Sequence, residues 1–199
     1  MIILKKGKLR AYPFVLKELV ITMKIYDIDE GYLDFLRKTE NKIMLSKSNY
    51  KSDKKFAVGI VLKIGKINYY APLSSIKYYQ LADDGLSLNK QYKQRCFPVI
   101  VRKKKKDTIV SSLRLDFMFP VPEYLLKELN FDEIEDEKYR TFIRLEYQYI
   151  VGKEEEILKK AIDLYEKAIV PTHFLHKKCC NFKLLENKYQ EWIKLKEKN

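Results

Sequence analysis

The sequence predicts an α+β domain: a compact, twisted antiparallel β-sheet or small barrel with α-helices packed against it and a mainly helical C-terminal half. Three observations carry this expectation. Runs of β-branched and aromatic residues of strand length occupy residues 23 to 121, whereas apolar residues recur at helical spacing beyond Pro122. Apolar types make up 46% of the 199 residues, enough for a core in one ordinary-sized domain. Six Gly, six Pro and no internal repeat exclude collagen-like, linker-like and solenoid classes.

The elements follow in chain order. Residues 1–22 are cationic and apolar but lack the small-residue cleavage site of a secretory signal, and are read as an N-terminal extension. The domain is expected to start at Met23 and run as one unit to residue 199. From Met23, MKIYDID alternates like a short strand, and EGYLDFLRKT places Tyr32, Phe35 and Leu36 at helical spacing. Residues 41–55 are polar and lysine-rich, a loop. FAVGIVLKI and KINYYAPL, separated by Gly65-Lys66, form a β-hairpin in which Gly59 marks a bulge or a close backbone approach. Residues 80–95 are a loop with turn chemistry at Asp84-Gly85. The strands FPVIV (97–101) and TIVSSLRLDFMFPV (108–121) flank Arg102, Lys103, Lys104, Lys105 and Lys106, an exposed basic tip. After Pro122 the pattern turns helical. One helix carries Tyr139, Phe142, Ile143, Tyr147 and Ile150, a second Ile157, Ala161, Leu164 and Ala168, and a last one, over 182–196, Phe182, Leu185, Tyr189 and Trp192.

Charge is the strongest functional signal. Residues 41–106 hold 16 Lys and Arg against 3 Asp, which is the whole net charge of +13, so the rest of the chain is neutral. Excess concentrated in one third of the length suits a polyanion, because each phosphate contact releases counterions; scattered lysines that keep a protein soluble are the plainer alternative. Eight of the fifteen Tyr cluster at Tyr50, Tyr69-Tyr70, Tyr78-Tyr79, Tyr92, Tyr147 and Tyr149. Rings interleaved with lysines suit single-stranded RNA, where unstacked bases lie on aromatics, although strand core residues share this composition.

Other chemistry finds less support. The segment His173-Phe-Leu-His176-Lys-Lys-Cys179-Cys180 has four zinc-ligand types, but no second ligand pair completes a clip, and it reads better as a helix end with buried cysteines. The acidic run Asp132 to Glu137 reads as a helix N-terminus, where carboxylates complement the dipole. Walker, dinucleotide-binding and nucleophile-elbow motifs are missing, so neither a cofactor nor a metal is expected. Three cysteines cannot form an even disulfide framework; with no membrane span, a reducing cytoplasmic setting follows.

Lys55, Gly59-Ile-Val-Leu62 and Tyr70-Ala-Pro-Leu-Ser-Ser-Ile-Lys77 form a pattern, followed by LRLDFMFPVP at 113–122 and CNFKLLENKYQEW at 180–192. In that order these blocks resemble the ToxN/AbiQ family, the endoribonuclease toxins of type III toxin-antitoxin and abortive-infection systems. The resemblance runs from Met23 to the C-terminus. It implies a fold like the small twisted barrel of the MazF/Kid endoribonucleases with added helices. It also implies metal-independent cutting, in which the RNA's own 2'-hydroxyl attacks the phosphorus and leaves a cyclic phosphate and a 5'-hydroxyl. Lys55, Ser74, Ser75 and Lys77 take the family's catalytic positions, with Tyr50 one residue farther from Lys55 than the family's tyrosine. Lys51, Lys54, Tyr79 and the tip Arg102 to Lys106 are expected to hold RNA. The implied partner is an RNA antitoxin, a short repeat folded as a pseudoknot and processed by the toxin. Two other classes share the charge: a non-catalytic RNA-binding protein, and a DNA-binding regulator, which would need a recognition helix rich in Arg, Asn or Gln.

Overall fold

The computed structural model describes residues 23–44, 56–103 and 106–197. The extension 1–22, Tyr50, Lys51, Lys54, Lys55, Lys104 and Lys105 lie outside the described residues.

Seven antiparallel strands form one sheet in the order β4-β5-β3-β2-β1-β7, with β6 beside β3 off this path. The first half is as the sequence predicts. Strand β1 is Lys24–Ile28, helix α1 is Glu30–Arg37, and the hairpin pairs β2 (Ala57–Ile64) with β3 (Ile67–Ser75). Gly65 turns the hairpin at φ 58°, a conformation that glycine adopts without steric cost. The β2–β3 register shifts between Gly59 and Leu62, so the glycine marks an irregularity as expected.

The region 97–121 differs in detail. Strands β4 (Phe97–Lys103) and β5 (Lys106–Leu113) make a second hairpin, but the predicted strand over 108–121 breaks at Arg114. A tight turn at Leu115–Phe117 follows, and only then the two-residue β6 (Phe119–Pro120). The break has a physical cause: Asp116 is fully buried and takes ion pairs from Arg95 and Arg114, which a continuing strand would not bring together. Strand β3 thus has β5 beside Leu73–Ser75 and β6 beside Tyr69–Tyr70.

The loop expected over 80–95 contains a short helix, α2 (Lys90–Lys93), capped by Asn89. Pro122 does not open a helix directly. A short strand β7 (Leu126–Glu128) first pairs with β1, and α3 (Glu137–Val151) starts at the Asp136 cap. Helix α4 (Glu154–Ala168) follows as predicted, then a five-residue α5 (Phe174–Lys178) and the long α6 (Phe182–Glu197). The main core joins the sheet to α1, α4 and α6 through Tyr32, Leu36, Tyr69, Phe119, Leu164, Tyr165, Phe182 and Leu185. A second, smaller core of Leu88, Cys96 and Ile109, with Ile76, Leu81, Tyr92 and Ile100 against it, lies beneath the chain that leaves β3. None of the described helices is long and apolar enough to cross a membrane.

Candidate active site

The end of β3 is held on both flanks. On one side Leu73 N–H donates to the Phe56 carbonyl; on the other Arg114 N–H donates to Pro72 O and Ile76 N–H to Val110 O. Cross-strand pairs set Leu73 opposite Leu113, Ser74 opposite Ser112 and Ser75 opposite Ser111. Ser75 is exposed and Ser74 half-buried, so both hydroxyls stand at the rim of a fixed strand.

Lys77 follows in a turn closed by a buried amide. Gln80, 2% exposed, accepts from Lys77 N at its side-chain oxygen (2.7 Å), and Gln80 N donates back to Lys77 O. Asn89 ties down Tyr79, inside that turn, by donating from Nδ2 to Tyr79 O at 2.8 Å. The turn is therefore rigid, while its side chains face solvent: Lys77 is exposed, Tyr78 is 94% and Tyr79 66% exposed. Among the described residues, no carboxylate pairs with the Lys77 ammonium. Tyr79 leans on Tyr92 (ring centroids 6.0 Å apart), which in turn lies under the Arg95 guanidinium.

Beneath this rim sits a buried ionic anchor. Arg114 grips both Asp116 oxygens (2.9 and 3.0 Å) while Arg95 adds a third bond at 3.2 Å. Burial works against the Arg114 charge, but the hydrogen bond and charge of Asp116 outweigh it and hold its pKa above the ordinary arginine value. Because Arg114 N–H also holds Pro72 O and Asp116 O accepts from Cys180 N, the anchor ties β3 to the C-terminal segment.

The predicted residues are sorted by these surroundings. Ser74 and Ser75 end β3 with their side chains on opposite faces of the sheet, and Lys77 and Tyr79 follow in the turn beyond. Arg102, Lys103 and Lys106 belong to the end of the β4–β5 hairpin, where Lys103 pairs with Lys106 and the side chains of Arg102 and Lys106 are exposed. Tyr69 and Tyr70, which composition alone allows as RNA-stacking rings, are core residues at 0% and 2% exposure. Tyr69 donates to Glu186, which also accepts from Tyr165 and Lys183, so the block CNFKLLENKYQEW serves packing. Asn181 within it caps α6 by accepting from Leu184 N. His173 caps α5, His176 Nδ1 lies 2.7 Å from Ala168 O, and Cys179 and Cys180 are buried. Asp136 caps α3 and Asp132 pairs with Arg144. Among the described residues, no three His, Cys, Asp or Glu gather where they could hold a metal ion.

Sequence reasoning missed two serines. Ser111 and Ser112 are 3% and 0% exposed, and neither hydroxyl has a hydrogen-bond partner among the described residues. A polar doublet within the buried half of β5, between Ile109-Val110 and Leu113, was the available signal.

The family model described as "Toxin ToxN, type III toxin-antitoxin system" matches residues 24–190. This chain is a member of the ToxN family. The matched span begins with β1 and reaches into α6, so it contains every part of the rim described above. Among similar proteins is the endoribonuclease ToxN of Bacillus thuringiensis subsp. kurstaki, 27% identical over 177 residues that cover 85% of this chain and 84% of that protein. The structure of AbiQ, a lactococcal anti-phage endoribonuclease of a type III toxin-antitoxin system, superposes with a TM-score of 0.71 at 25% identity, covering 87% of this chain and 99% of AbiQ. A bacterial type III system whose toxin is selectively inhibited by a non-coding RNA pseudoknot gives a TM-score of 0.68 at 25% identity, covering 86% of this chain and 98% of that one.

Proposed function

We propose that this ToxN-family chain is a sequence-specific endoribonuclease toxin that acts without a metal ion and serves in abortive infection against phage. It is inhibited by, and processes, a repeat RNA antitoxin folded as a pseudoknot. The observation that carries this reading is the hydrogen-bonded end of β3 and its turn, which present Ser75 and Lys77 to solvent beside a half-buried Ser74. The related ToxN and AbiQ endoribonucleases, and the RNA-inhibited toxin, support the substrate and the partner.

The chemistry uses the substrate's own nucleophile. The 2'-hydroxyl loses its proton and attacks the adjacent phosphorus, the bond to the leaving 5'-oxygen breaks, and that oxygen takes up a proton. The products are a 2',3'-cyclic phosphate and a 5'-hydroxyl. Such a reaction needs a proton acceptor, a proton donor and cations against the charge that builds on the equatorial oxygens. Lys77 supplies one cation from its solvent-facing turn. Lys55 supplies the second: it is bonded to Phe56, whose carbonyl accepts from Leu73 N one residue before Ser74. Ser75 hydrogen-bonds the reacting group, while Ser74 and Tyr50 orient the RNA. Lys51, Lys54, Tyr79 and the tip from Arg102 to Lys106 hold the strand on either side.

The toxin domain is residues 23–199, with 1–22 an N-terminal extension; Met23 is fully buried, and its N–H donates to Glu154. The sheet curls into a MazF/Kid-like small barrel, a reading supported by α3, which packs against both β4 at one edge and β1 beside the other. The three cysteines, all free, suit a cytoplasmic protein.

The test is cleavage of RNA oligonucleotides in EDTA. Cutting should persist, and one 2'-deoxy sugar on the 5' side of the scissile bond should block it. Activity that vanishes in EDTA and returns with magnesium, or unchanged cutting of the deoxy substrate, would overturn the mechanism.

A further inference from the structure

We propose that Ser111 and Ser112 are positioning residues, a second serine pair on β5 whose hydroxyls orient those of Ser75 and Ser74 when RNA is bound. The inference rests on the endoribonuclease reading above and adds to it two residues from a different strand.

Three observations meet here. The register sets the two pairs opposite each other residue by residue, Ser74 with Ser112 and Ser75 with Ser111. Side chains directly opposite in an antiparallel pair lie on the same face, with Cβ atoms about 4.5–5.5 Å apart, close enough for a hydroxyl-to-hydroxyl bond after a rotamer change. Both β5 serines are nine-tenths or more buried, yet their Oγ atoms have no partner among the described residues. Finally, the neighbours in the same rows on β4 are Val99 beside Ser111 and Pro98 beside Ser112, whose side chains offer no hydrogen bond.

An unpaired buried hydroxyl is destabilising, and an alanine of nearly the same volume would remove that cost. These positions therefore gain nothing for stability by being serine. A hydroxyl with one donor and two lone pairs gains its use when Ser75 acts. As Ser75 Oγ donates to the reacting group, its lone pairs can accept from Ser111, which fixes its direction and strengthens its own donated bond. Ser112 does the same for Ser74, which orients the RNA. Ser111 is too deeply buried to touch RNA, so its effect runs through Ser75.

The test compares Ser111→Ala, Ser112→Ala and Ser111→Thr with the wild type, using a short RNA oligonucleotide that the wild-type protein cuts. Single-turnover cleavage, RNA affinity and the urea midpoint are measured together. Ser111→Ala should slow cleavage about tenfold with unchanged affinity and an equal or higher urea midpoint, and Ser112→Ala should act the same way less strongly. Ser111→Thr, which keeps the hydroxyl, should restore much of the rate. In a Ser75→Ala background, adding Ser111→Ala should cost nothing more, since residues that act as one unit are not additive. Wild-type cutting by Ser111→Ala, an added loss in the Ser75→Ala background, or a lower midpoint that tracks the lost activity would each overturn the proposal while leaving the endoribonuclease reading intact. A wild-type chain that leaves every RNA uncut would overturn that reading, and this inference with it.

Discussion

A methyl group on Gly59 would stand 2.1 Å from Cδ1 of the Tyr70 ring, directly across the β2–β3 hairpin. The ring fills the space that any other residue's side chain needs, and it is itself held edge-on by Tyr26 at 5.5 Å. Gly59→Ala should therefore destabilise the protein by at least 1–3 kcal/mol, roughly the range of overpacked cores. A lower urea midpoint with an unchanged m-value is the expected result; an unshifted midpoint would mean that the ring yields freely.

The anchor beneath the site allows a second prediction. Asp116→Ala strands the guanidinium groups of Arg95 and Arg114 in largely buried positions, and breaking one partner out of such a cluster typically costs about 3–5 kcal/mol. Because Arg114 N–H also holds Pro72, the end of β3 should loosen as well. Hydrogen exchange at Leu73 to Ile76 should rise in this variant more than in β1. Equal changes in both strands would argue against a local role.

How far the sequence carries is visible in two tyrosine doublets. Tyr69-Tyr70 and Tyr78-Tyr79 look alike in composition. The first lies in a strand covered on both faces, with Tyr165 and Phe182 against Tyr69 and Tyr26 against Tyr70. The second sits on a solvent-facing turn. Only tertiary packing separates them, so composition could not. Elements of three or four residues, β7 and α2, are too short to show a period, and the break at Arg114 depends on Asp116 meeting Arg95 from another part of the chain. In contrast, the strands and helices of eight residues or more in β2, β3, α1, α3, α4 and α6 stand close to where apolar spacing puts them. Ser74, Ser75 and Lys77 are nominated as site residues only through the family pattern, since Pro-Leu-Ser-Ser alone reads as turn chemistry.

Stability should fall in alkali. Burial pushes the Cys96 and Cys179 thiols up to about 12 and Cys180 well above its ordinary value, and it raises Tyr32, Tyr69 and Tyr70 as well. The folded state thus keeps protons that the unfolded chain releases from about pH 8.5 upward for thiols. The stabilisation is complete below that point and is lost as pH rises toward 12, by up to about 1.4 kcal/mol per pH unit for each group. Urea midpoints at pH 7 and pH 10 should show the drop, and native thiols should react with a thiol reagent only after unfolding. A flat profile over this range would contradict the burial of these groups.

The hairpin tip should govern salt dependence more than chemistry. Replacing Lys103 to Lys106 by Ser removes up to four phosphate contacts, and each should take about 0.7 off the slope of log affinity against log salt for single-stranded RNA. Cutting of a short oligonucleotide should stay close to wild type, because Arg102 and Lys106, which flank this run at the end of the β4–β5 hairpin, are exposed. An unchanged slope would place RNA elsewhere on the surface.

Ser75 and Lys77 should separate chemistry from binding. Ser75→Ala deletes one hydrogen bond at the reacting group and no charge, so RNA affinity should hold while cleavage drops. By analogy with lost oxyanion-type donors the loss is about 3 kcal/mol, a hundredfold or more in rate. Lys77→Ala removes a cation that faces solvent and is paired with no carboxylate among the described residues, so it should weaken binding and slow cleavage together. Lys77→Arg keeps the charge on a turn fixed by Gln80 and should recover affinity more fully than rate, since a planar guanidinium cannot take the place of a compact ammonium at one phosphate oxygen. If Ser75→Ala lost affinity in proportion to rate, Ser75 would be a ground-state contact, and the reacting group would have to be sought nearer Lys55.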